Sequence, residues 1–365
     1  MKIGIFNPTL HVVGGAEYAT IIMMNALKKH GNEVIVSSNK KIDQKMAMRV
    51  YGAKVTADAQ IVFPLHNLFG WNPNHSQFFY INALQIFALR LNCNILIDVF
   101  SGVILPWADI IYFQTQGRDI TIKRKREVFL LPYIALLKST RIGKKIILTC
   151  SKFVAQNLEK KSVYCNVLYP PVDVHSFHPN IKQRNEPRKD IVMTISRFTK
   201  EKKLEKIPYI AKLVDKNISF NIVGSPHDYE TLSSIKRLIK RLNVGDRVKL
   251  SVNISREELK RLLWNSKVYL HTREYEPFGI TIVEAMSGGC IPVVHDSGGP
   301  REFVPENLRY KTIEEGAMKI ERAIAKWSTK KMEEMTKSAK NFDKEKFSQT
   351  FLNIVDQAIE VKSKK

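Results

Sequence analysis

Short apolar runs alternate with amphipathic segments along nearly the whole chain. The first run, Lys2–Phe6, predicts a strand, and a glycine-containing loop, a helix near 18–29 and a second strand at 34–37 follow it. This order is that of a βαβ unit, in which a glycine pair at the first turn lets the backbone approach a ligand closely. Later apolar runs between helical stretches predict a continuing parallel sheet. They cover 61–65, 95–99, 110–113 and 145–148.

The same alternation starts again in the second half of the chain. Pro170 and Pro171 stiffen the passage between the two halves into an extended segment. Strands are then predicted at 190–195, 219–223, 246–250, 268–271 and 290–294, and helices at 312–327, 330–339 and 344–361. The pattern therefore predicts an α/β protein whose alternation is repeated in two domains.

Length and composition agree with two globular domains. A chain of 365 residues can bury ample core, and its 44% apolar and 25% charged residues are ordinary for a globular protein. The formal charge of +23 is not ordinary and favours anionic partners: nucleic acid, acidic membrane surfaces or phosphorylated substrates. Because no nucleic-acid-binding signature is present, we expect no nucleic acid partner.

The cysteines and the apolar runs bear on location. Four scattered cysteines without paired metal-ligand spacing favour a reducing compartment and no metal site. No uninterrupted apolar run reaches the roughly 18 residues that span a bilayer, and the amino terminus lacks the apolar core of a signal peptide. We therefore expect a cytoplasmic protein.

A basic segment at 117–145 predicts a peripheral contact with an anionic membrane. Nine lysines and arginines in this segment surround the apolar run 128–137. Such a composition is typical of a segment that lies on a lipid surface. The alternative is a core helix with a solvated charged collar.

The stretch from Glu276 to Glu302 carries the strongest chemical signal. Glu276 lies in a loop with Pro277 and Gly279, ahead of a helix-like pattern at 280–287. A helix that begins there points unpaired N–H groups and its positive dipole end towards the side of Glu276, which suits an anion such as a diphosphate. Glu284, about a turn later, can offer two acceptor oxygens to a vicinal diol such as a ribose.

Glycines border this helix and the loop that comes after it. We expect Gly288 and Gly289 to end the helix by adopting positive φ. The segment 295–300 then follows a buried strand at its carboxyl end, where open α/β sheets bind ligands. Either glutamate alone would suit an ordinary surface helix. The whole constellation favours a nucleotide-sugar site.

The spacing of the two glutamates, together with the phrases EPFG and SGGP, resembles the retaining glycosyltransferases of family 4, group 1, which include sucrose and mannosyl transferases. The resemblance implies the GT-B architecture: two Rossmann-like domains facing each other across a cleft, with a C-terminal helix that returns to the first domain. It places the domain junction at VLYPP. The acceptor-side domain is then 1–168 plus about 344–365, and the nucleotide-sugar-binding domain is 169–343.

The resemblance also implies which residues hold the donor. Arg197 and Lys202 would place two cations on the diphosphate and stabilise the leaving group. Glu276 would orient the sugar hydroxyls, and Glu284 would bind the ribose. The predicted catalytic residues are Arg197, Lys202 and Glu276, and the predicted donor contacts are Gly14, Gly15, Ser196, Gly224, Pro277, Phe278, Gly279, Ile280 and Glu284.

Two positions depart from the family pattern. Many relatives carry a histidine near the anomeric centre, just after the strand at 110–113, whereas this chain has Gln114. Glutamine cannot titrate, so either Gln114 only hydrogen-bonds the sugar, or His66 or another group contributes. Lys203 stands where relatives frequently have a glycine.

The resemblance implies a retaining hexosyltransferase that uses neither a cofactor nor a metal. The chain contains no Asp-x-Asp triplet, and the leaving phosphate would deprotonate the acceptor. The motifs look closest to mannosyltransferases that extend polyprenyl-diphosphate-linked oligosaccharides. We therefore expect mannose from GDP-mannose and a glycan or lipid-linked acceptor. The alternatives are a UDP-hexose-dependent transferase and a non-catalytic protein that binds sugar nucleotides or polyanions.

Overall fold

The computed structural model of the chain describes residues 1–63, 76–117, 131–139, 145–181, 183 and 186–363. The chain divides into two compact units, one formed by Met1–Pro171 with Glu345–Lys365 and the other by Val172–Lys344. Each unit contains one sheet in which every strand pairing is parallel. The predicted α/β class is therefore confirmed.

In the part of the chain that the structure describes, the first unit is built on seven strands in the order β3-β2-β1-β4-β5-β6-β7. Strand β1, which lies between β2 and β4, is buried, because Ile3, Ile5 and Phe6 are covered on both faces of the sheet. The strands are β1 Lys2–Phe6, β2 Glu33–Ser38, β3 Ala59–Val62, β4 Ile95–Asp98, β5 Ile110–Phe113, β6 Ile146–Thr149 and β7 Asn166–Val167. Its helices are Gly15–Lys29, Gln44–Tyr51, Ser76–Arg90, Leu131–Ser139, Lys152–Glu159 and Lys344–Ser363.

The last helix, Lys344–Ser363, packs on the first unit, as predicted. Its buried side chains recur every three or four residues, so they form one stripe along the helix. Near its end the Lys362 ammonium lies 3.2 Å from the Asp109 carboxylate, just before β5. The chain thus returns to the sheet with which it began.

The second unit contains six strands in the order β10-β9-β8-β11-β12-β13. They are β8 Lys189–Ile195, β9 Ser219–Gly224, β10 Val248–Val252, β11 Ser266–His271, β12 Ile291–His295 and β13 Arg309–Tyr310. Its α-helices are Val174–Phe177, Lys206–Leu213, Tyr229–Arg241, Arg256–Trp264, Ile280–Ser287, Ile313–Ala325 and Thr329–Ala339. Short 3-10 helices cover Lys200–Lys202, Gly299–Glu302, Glu306–Leu308 and Lys340–Phe342.

Both sheets reverse their strand order once near the middle. The reversal lies between β1 and β4 in the first unit and between β8 and β11 in the second. Parallel strands leave a crevice at the carboxyl ends of such a pair, and ligands of α/β proteins bind there. The loops after these four strands are therefore where each unit can hold a ligand.

Two sequence-based details are corrected by the structure. The helix predicted near 18–29 begins at Gly15, because extended Gly14 caps it and accepts the Tyr18 N–H at 3.1 Å. Gly288 has helical φ of −68°, so only Gly289, at +84°, ends its helix with positive φ. The Gly288 carbonyl instead accepts a hydrogen bond from the buried Arg188 guanidinium at 2.6 Å.

The predicted membrane segment lies largely outside the described residues. Of 117–145, the structure describes Gly117, Leu131–Ser139 and Lys145. Within the described ranges, no helix combines the length and the apolar character needed to cross a bilayer. The proposed contact of 117–145 with a membrane therefore stays a prediction.

Candidate functional site

The loop after β8 is held in place by a glycine on the neighbouring strand. The Ser196 N–H donates to the Val223 carbonyl at 2.9 Å. A Cβ at Gly224 would come within 1.7 Å of the Ser196 carbonyl oxygen, so only glycine fits there. The structure thus gives Gly224 a packing role against Ser196.

Lys202 ends the short 3-10 helix Lys200–Lys202, and the turn after it has a conformation that is unusual for a lysine. The next residue, Lys203, has φ of +52°, in the left-handed region that glycine adopts most easily. This requirement accounts for the glycine that relatives frequently have at the position. The Thr272 hydroxyl donates to the Lys202 carbonyl at 2.7 Å, which joins this turn to the loop after β11.

The carboxylate of Glu276 lies at the centre of a buried ionic cluster. Its Oε2 accepts hydrogen bonds from the Lys202 ammonium at 2.9 Å and the His271 ring Nε2 at 3.1 Å, and its Oε1 accepts one from the Arg273 guanidinium at 3.2 Å. Only 8% of Glu276 is exposed. The loops after β8 and β11 therefore meet at one carboxylate.

The cluster keeps Glu276 ionised. Burial alone would raise its pKa, but the hydrogen bond from His271 and the charges of Lys202 and Arg273 hold the pKa of Glu276 well below its usual value. A carboxylate with such a low pKa is a weak base. Two of the four lone-pair sites on the carboxylate are filled at Oε2 and one at Oε1, which leaves one acceptor position on Oε1.

His271 is a neutral donor in this cluster. Burial lowers the pKa of His271 below its usual value, although the hydrogen bond with Glu276 partly offsets this effect. Because an ionised carboxylate only accepts hydrogen bonds, the proton of the neutral ring is on Nε2. The Tyr269 ring stacks on the imidazole at 6.4 Å between centroids, and the Tyr310 hydroxyl donates to the His271 carbonyl at 3.2 Å.

A glycine pair in the loop after β12 packs directly against the backbone of Glu276. The Gly299 N–H donates to the Glu276 carbonyl at 2.8 Å. A Cβ at Gly298 would lie 2.4 Å from the Glu276 carbonyl oxygen, and one at Gly299 would lie 2.1 Å from that of Pro277. Gly298 also has φ of +77°. Both glycines are thus required for the close approach of the two loops.

Tyr275 shows that this loop is strained. Its φ of +51° is rare for a residue with a large side chain. The residue is 61% exposed, so burial of the side chain does not account for this conformation. The Ser297 hydroxyl accepts the Tyr275 N–H at 2.8 Å and the His295 ring nitrogen Nδ1 lies 2.8 Å from the same hydroxyl. The surrounding hydrogen bonds therefore hold an unfavourable backbone conformation next to Glu276.

The helix after Glu276 begins without a capping side chain. Gly279, with φ of +95°, is the N-cap of helix Ile280–Ser287 and makes no side-chain hydrogen bond. Because the cap residue makes no side-chain bond, the N–H groups at the start of the helix suit an anion, although the Ile282 N–H already donates to the Gly279 carbonyl at 3.0 Å. Phe278 packs against Phe303 and Phe342 with ring centroids 5.3 and 5.2 Å apart, so its side chain is part of the core.

Glu284 lies about one turn into that helix, and its carboxyl group has a strongly shifted pKa. Burial raises the pKa of Glu284 to about 7, with Asp173 adding to the rise and Arg256 opposing it. Arg256 is itself paired with Asp173 at 3.1 Å. Among the described residues, the Glu284 carboxyl has no hydrogen-bond partner. A donor such as a diol hydroxyl would fill this position.

The other predicted residues make separate contacts. The Arg197 guanidinium is 40% exposed and lies 3.6 Å from Glu201. Gly14 and Gly15 lie at the start of the first helix of the other unit, where the Gly14 N–H donates to the Tyr51 hydroxyl at 2.7 Å. The Gln114 amide nitrogen is buried without a hydrogen-bond partner in the described part of the chain. His66 lies outside the described residues.

Sequence reasoning missed three residues of the cluster region: His271, Arg273 and Ser297. His271 is the last residue of β11 and Arg273 comes two residues later. Their position at the carboxyl end of a strand next to the reversal was a usable signal. It could not be used without the strand order, which the sequence pattern does not provide.

Comparisons with known proteins add to this geometry. Residues 177–346 match the family model described as glycosyl transferases group 1. This match covers nearly the whole of the second unit, including every member of the ionic cluster. The match does not cover Met1–Pro171, the longer of the two segments of the first unit.

A curated relative with detectable sequence similarity comes from Dictyostelium discoideum. It is named GDP-Man:Man(3)GlcNAc(2)-PP-Dol alpha-1,2-mannosyltransferase, and it is 30% identical over 215 residues. That alignment covers 53% of this chain and 42% of the relative. The chain therefore spans less than half the length of the curated relative it matches.

Solved structures resemble the whole chain. The sucrose-phosphate synthase of Thermosynechococcus elongatus has a TM-score of 0.76 at 17% identity and covers 99% of both chains. Anabaena HepE in complex with UDP and glucose has a TM-score of 0.71 at 16% identity, covering 98% of this chain and 99% of the other. The chain has the GT-B fold. At these identities the likeness shows the fold alone.

Proposed function

We propose that this protein is a glycosyltransferase that moves a hexose from a nucleotide sugar to a glycan or a polyprenyl-linked glycan. The observation that carries the proposal is the ionic cluster around Glu276 at the strand reversal of the second unit. It contains two cations, Lys202 and Arg273, for one carboxylate, so a positive excess is left for a diphosphate. The uncapped start of helix Ile280–Ser287 adds N–H groups that favour the same anion.

In this mechanism the protein stabilises charge on the leaving group. Lys202, Arg197 and the first N–H groups after Gly279 would bind the departing diphosphate, whose negative charge grows in the transition state. Glu276 would orient a sugar hydroxyl through the acceptor position left on Oε1. Because its pKa is held low, Glu276 is not a proton acceptor, and we propose that the leaving phosphate deprotonates the acceptor hydroxyl.

The leading donor is GDP-mannose, and the leading acceptor is a lipid-linked glycan. Support comes from the matched relative, whose name contains both a GDP-mannose donor and a dolichol-diphosphate glycan. GDP-mannose carries an α-linked sugar and the relative's name specifies an alpha linkage, so transfer of that kind retains the anomeric configuration. We propose a retaining reaction without a metal or other cofactor for this chain as well, on the cytoplasmic side of the membrane.

The experiment is a sugar-nucleotide screen followed by a transfer assay. GDP-mannose is expected to raise the melting temperature more than UDP-hexoses do, because a ligand that binds only the folded state stabilises it by mass action. Transfer to a polyprenyl-diphosphate-linked oligosaccharide is expected in the presence of EDTA, with an α-anomeric proton in the product by NMR. Stabilisation by UDP-hexoses alone would favour the UDP-dependent alternative. Stabilisation without transfer to any acceptor would favour the non-catalytic binding protein.

A further inference from the structure

Helix Tyr229–Arg241 of the second unit turns a strongly basic face to solvent. Its last turns carry four exposed cations, Lys236, Arg237, Lys240 and Arg241. Residues 236 and 240, and 237 and 241, are four positions apart, so each pair brings like charges together on the helix surface. The arrangement opposes helix stability.

These cations have no acidic partner within the described ranges of the chain. Glu230, in the first turn of the helix, pairs with Lys200 at 3.2 Å instead. Other helices of the same unit do pair their lysines, as Lys260 with Glu257 at 2.8 Å and Lys331 with Glu334 at 2.7 Å. Among the described residues, exposed lysines such as Lys330 and Lys337 also lack an acidic partner, but helix Tyr229–Arg241 concentrates four unpaired cations within six residues.

The helix does not need these cations in order to fold. Its opposite face buries Leu232, Ile235, Leu238 and Ile239 at helical spacing. The Asp228 side chain caps its first turn by accepting the Glu230 N–H at 3.0 Å. Apolar burial and the cap account for the helix, and its dipole favours Lys240 and Arg241 in the last turn. Neither explains Lys236 and Arg237, which add repulsion to the same face.

The neighbouring helix Lys206–Leu213 extends the same surface. Arg241 donates to the Tyr209 hydroxyl at 3.2 Å, which joins the two helices. Lys212 is exposed, and Tyr209 and Leu213 are 37% and 51% exposed, one turn apart. We define the basic patch as the four cations of helix Tyr229–Arg241 with Tyr209, Lys212 and Leu213.

We propose that the basic patch binds an anionic lipid surface. Lysine and arginine together with exposed tyrosine and leucine are typical of protein surfaces at the headgroup level of a membrane. The patch suits nucleic acid less well, because its Tyr209 hydroxyl is bound to Arg241 and it offers no row of aromatic faces on which bases stack. The basic patch shares no residue with the segment 117–145, and the proposal does not depend on the proposed transfer reaction.

The test measures sedimentation of the full chain with lipid vesicles. The vesicles are made of phosphatidylcholine alone or of phosphatidylcholine mixed with phosphatidylglycerol. The patch variant carries Lys236→Gln, Arg237→Gln and Lys240→Gln. The matched control carries Lys326→Gln, Lys330→Gln and Lys337→Gln, which remove the same charge from exposed positions of the same unit.

The patch variant is expected to bind phosphatidylglycerol vesicles roughly a hundredfold more weakly than the parent. Each cation near an anionic surface raises the binding affinity about fivefold, and the variant loses three of them. The control variant is expected to keep most of the binding, and added salt is expected to weaken it in the parent. Since removing the three cations relieves repulsion, the patch variant is expected to melt no lower than the parent.

Several results would overturn the proposal. Equal losses in the two variants would assign the binding to net charge, and unchanged binding in the patch variant would assign it elsewhere. Displacement of the parent from vesicles by single-stranded RNA, with a loss of RNA binding in the patch variant, would identify nucleic acid as the partner. Sugar-nucleotide stabilisation, measured on the same variants, is expected to be unchanged, so failure of this proposal is separable from failure of the proposed transferase.

Discussion

The two strand reversals share one topology but differ in their chemistry. The central strands run β2-β1-β4-β5 in the first unit and β9-β8-β11-β12 in the second. After β1, the segment 7–17 contains no lysine or arginine, whereas the segment 196–203 after β8 contains four. The same backbone arrangement therefore holds a loop without lysine or arginine in one unit and a basic loop in the other.

Several polar groups of the first loop are hydrogen-bonded within the chain, although the buried His11 Nδ1 has no partner among the described residues. The Thr9 hydroxyl donates to the Glu17 carboxylate at 2.6 Å, and the Asn7 amide donates to the Thr20 hydroxyl at 2.8 Å. At the end of β4, the Asp98 carboxylate accepts the Ser101 N–H at 2.9 Å. These contacts fix a loop that can approach a ligand closely without attracting an anion.

The second loop instead brings buried charges together at considerable cost. Taking Lys202 and Glu276 out of water is unfavourable, and their attraction offsets that cost only with good geometry and further hydrogen bonds. His271 and Arg273 supply those hydrogen bonds. The comparison teaches that topology gives the location of a ligand crevice, while the side chains decide what charge it accepts.

Breaking the ionic cluster should have the largest effect. Lys202→Ala is expected to lower the turnover of the transfer reaction by about 10²–10³, because a preorganised donor to the leaving group is lost. The matched control is Lys206→Ala, which breaks the neighbouring Lys206–Glu274 pair of 2.6 Å and should leave turnover near normal. Melting temperatures check that both variants fold, and Glu276→Gln gives a second variant of similar shape. Near-normal turnover of Lys202→Ala would remove Lys202 from the mechanism.

Substituting one glycine in the loop after β12 and one in the loop after β1 should lower the free energy of unfolding by different amounts. Gly298→Ala is expected to cost about 3 kcal/mol or more in unfolding free energy, since it combines positive φ with a backbone clash. Gly14→Ala is expected to cost about 1 kcal/mol, because Gly14 is extended and its Cβ would meet only the tip of the Glu17 side chain. Chemical denaturation measures both values. Equal costs would show that the loop after β12 is not held as described.

A smaller effect concerns the pH dependence of donor binding. We predict that a ribose diol donates hydrogen bonds to ionised Glu284, and burial raises the pKa of that group to about 7 in the free protein. Donor affinity should therefore fall as the pH falls below 7, by up to about tenfold per pH unit. GDP-mannose is the suitable ligand, since its diphosphate has no group that titrates near pH 7. Calorimetric titration of Glu284→Gln is expected to give a weaker but flatter pH profile; a slope equal to that of the parent would exclude Glu284 as its source.

The same group should affect stability without a ligand. Because its pKa is raised on folding from an ordinary 4.5 to about 7, the folded state binds the Glu284 proton more tightly than the unfolded state does. This contribution to stability is therefore complete below pH 4.5 and lost as the pH rises through 7. Glu284→Gln is expected to stabilise the protein above pH 7 and to have no charge effect below pH 4.5. Melting curves across this range check the sign, which the opposite trend would contradict.

The sequence predicted those features that depend on local pattern. The strand at 110–113 and the helix start at Ile280 follow from apolar periodicity and from glycine conformation, which neighbouring residues determine. The pairing of Glu276 with Lys202 joins residues 74 positions apart. It depends on the register of β8 against β11, so a linear pattern could indicate both residues but not their contact.

Other features of the site depend on burial. His271 and Arg273 look like ordinary polar residues in the sequence, and only their enclosure at the end of β11 gives them a role. The Gly288 carbonyl likewise accepts a hydrogen bond from Arg188, a hundred positions earlier in the chain, and no local pattern indicates that contact. The roles assigned to the predicted site residues stay predictions to be tested.

The central claim is that a nucleotide sugar binds at the loops after β8, β11 and β12 of the second unit. Hydrogen–deuterium exchange of the full chain, with and without GDP-mannose, tests it most directly. The account predicts slower exchange in 196–203, 272–281 and 296–300, with no such protection in Lys202→Ala at the same donor concentration. Protection confined to other parts of the chain, or none at a concentration that stabilises the protein, would contradict it.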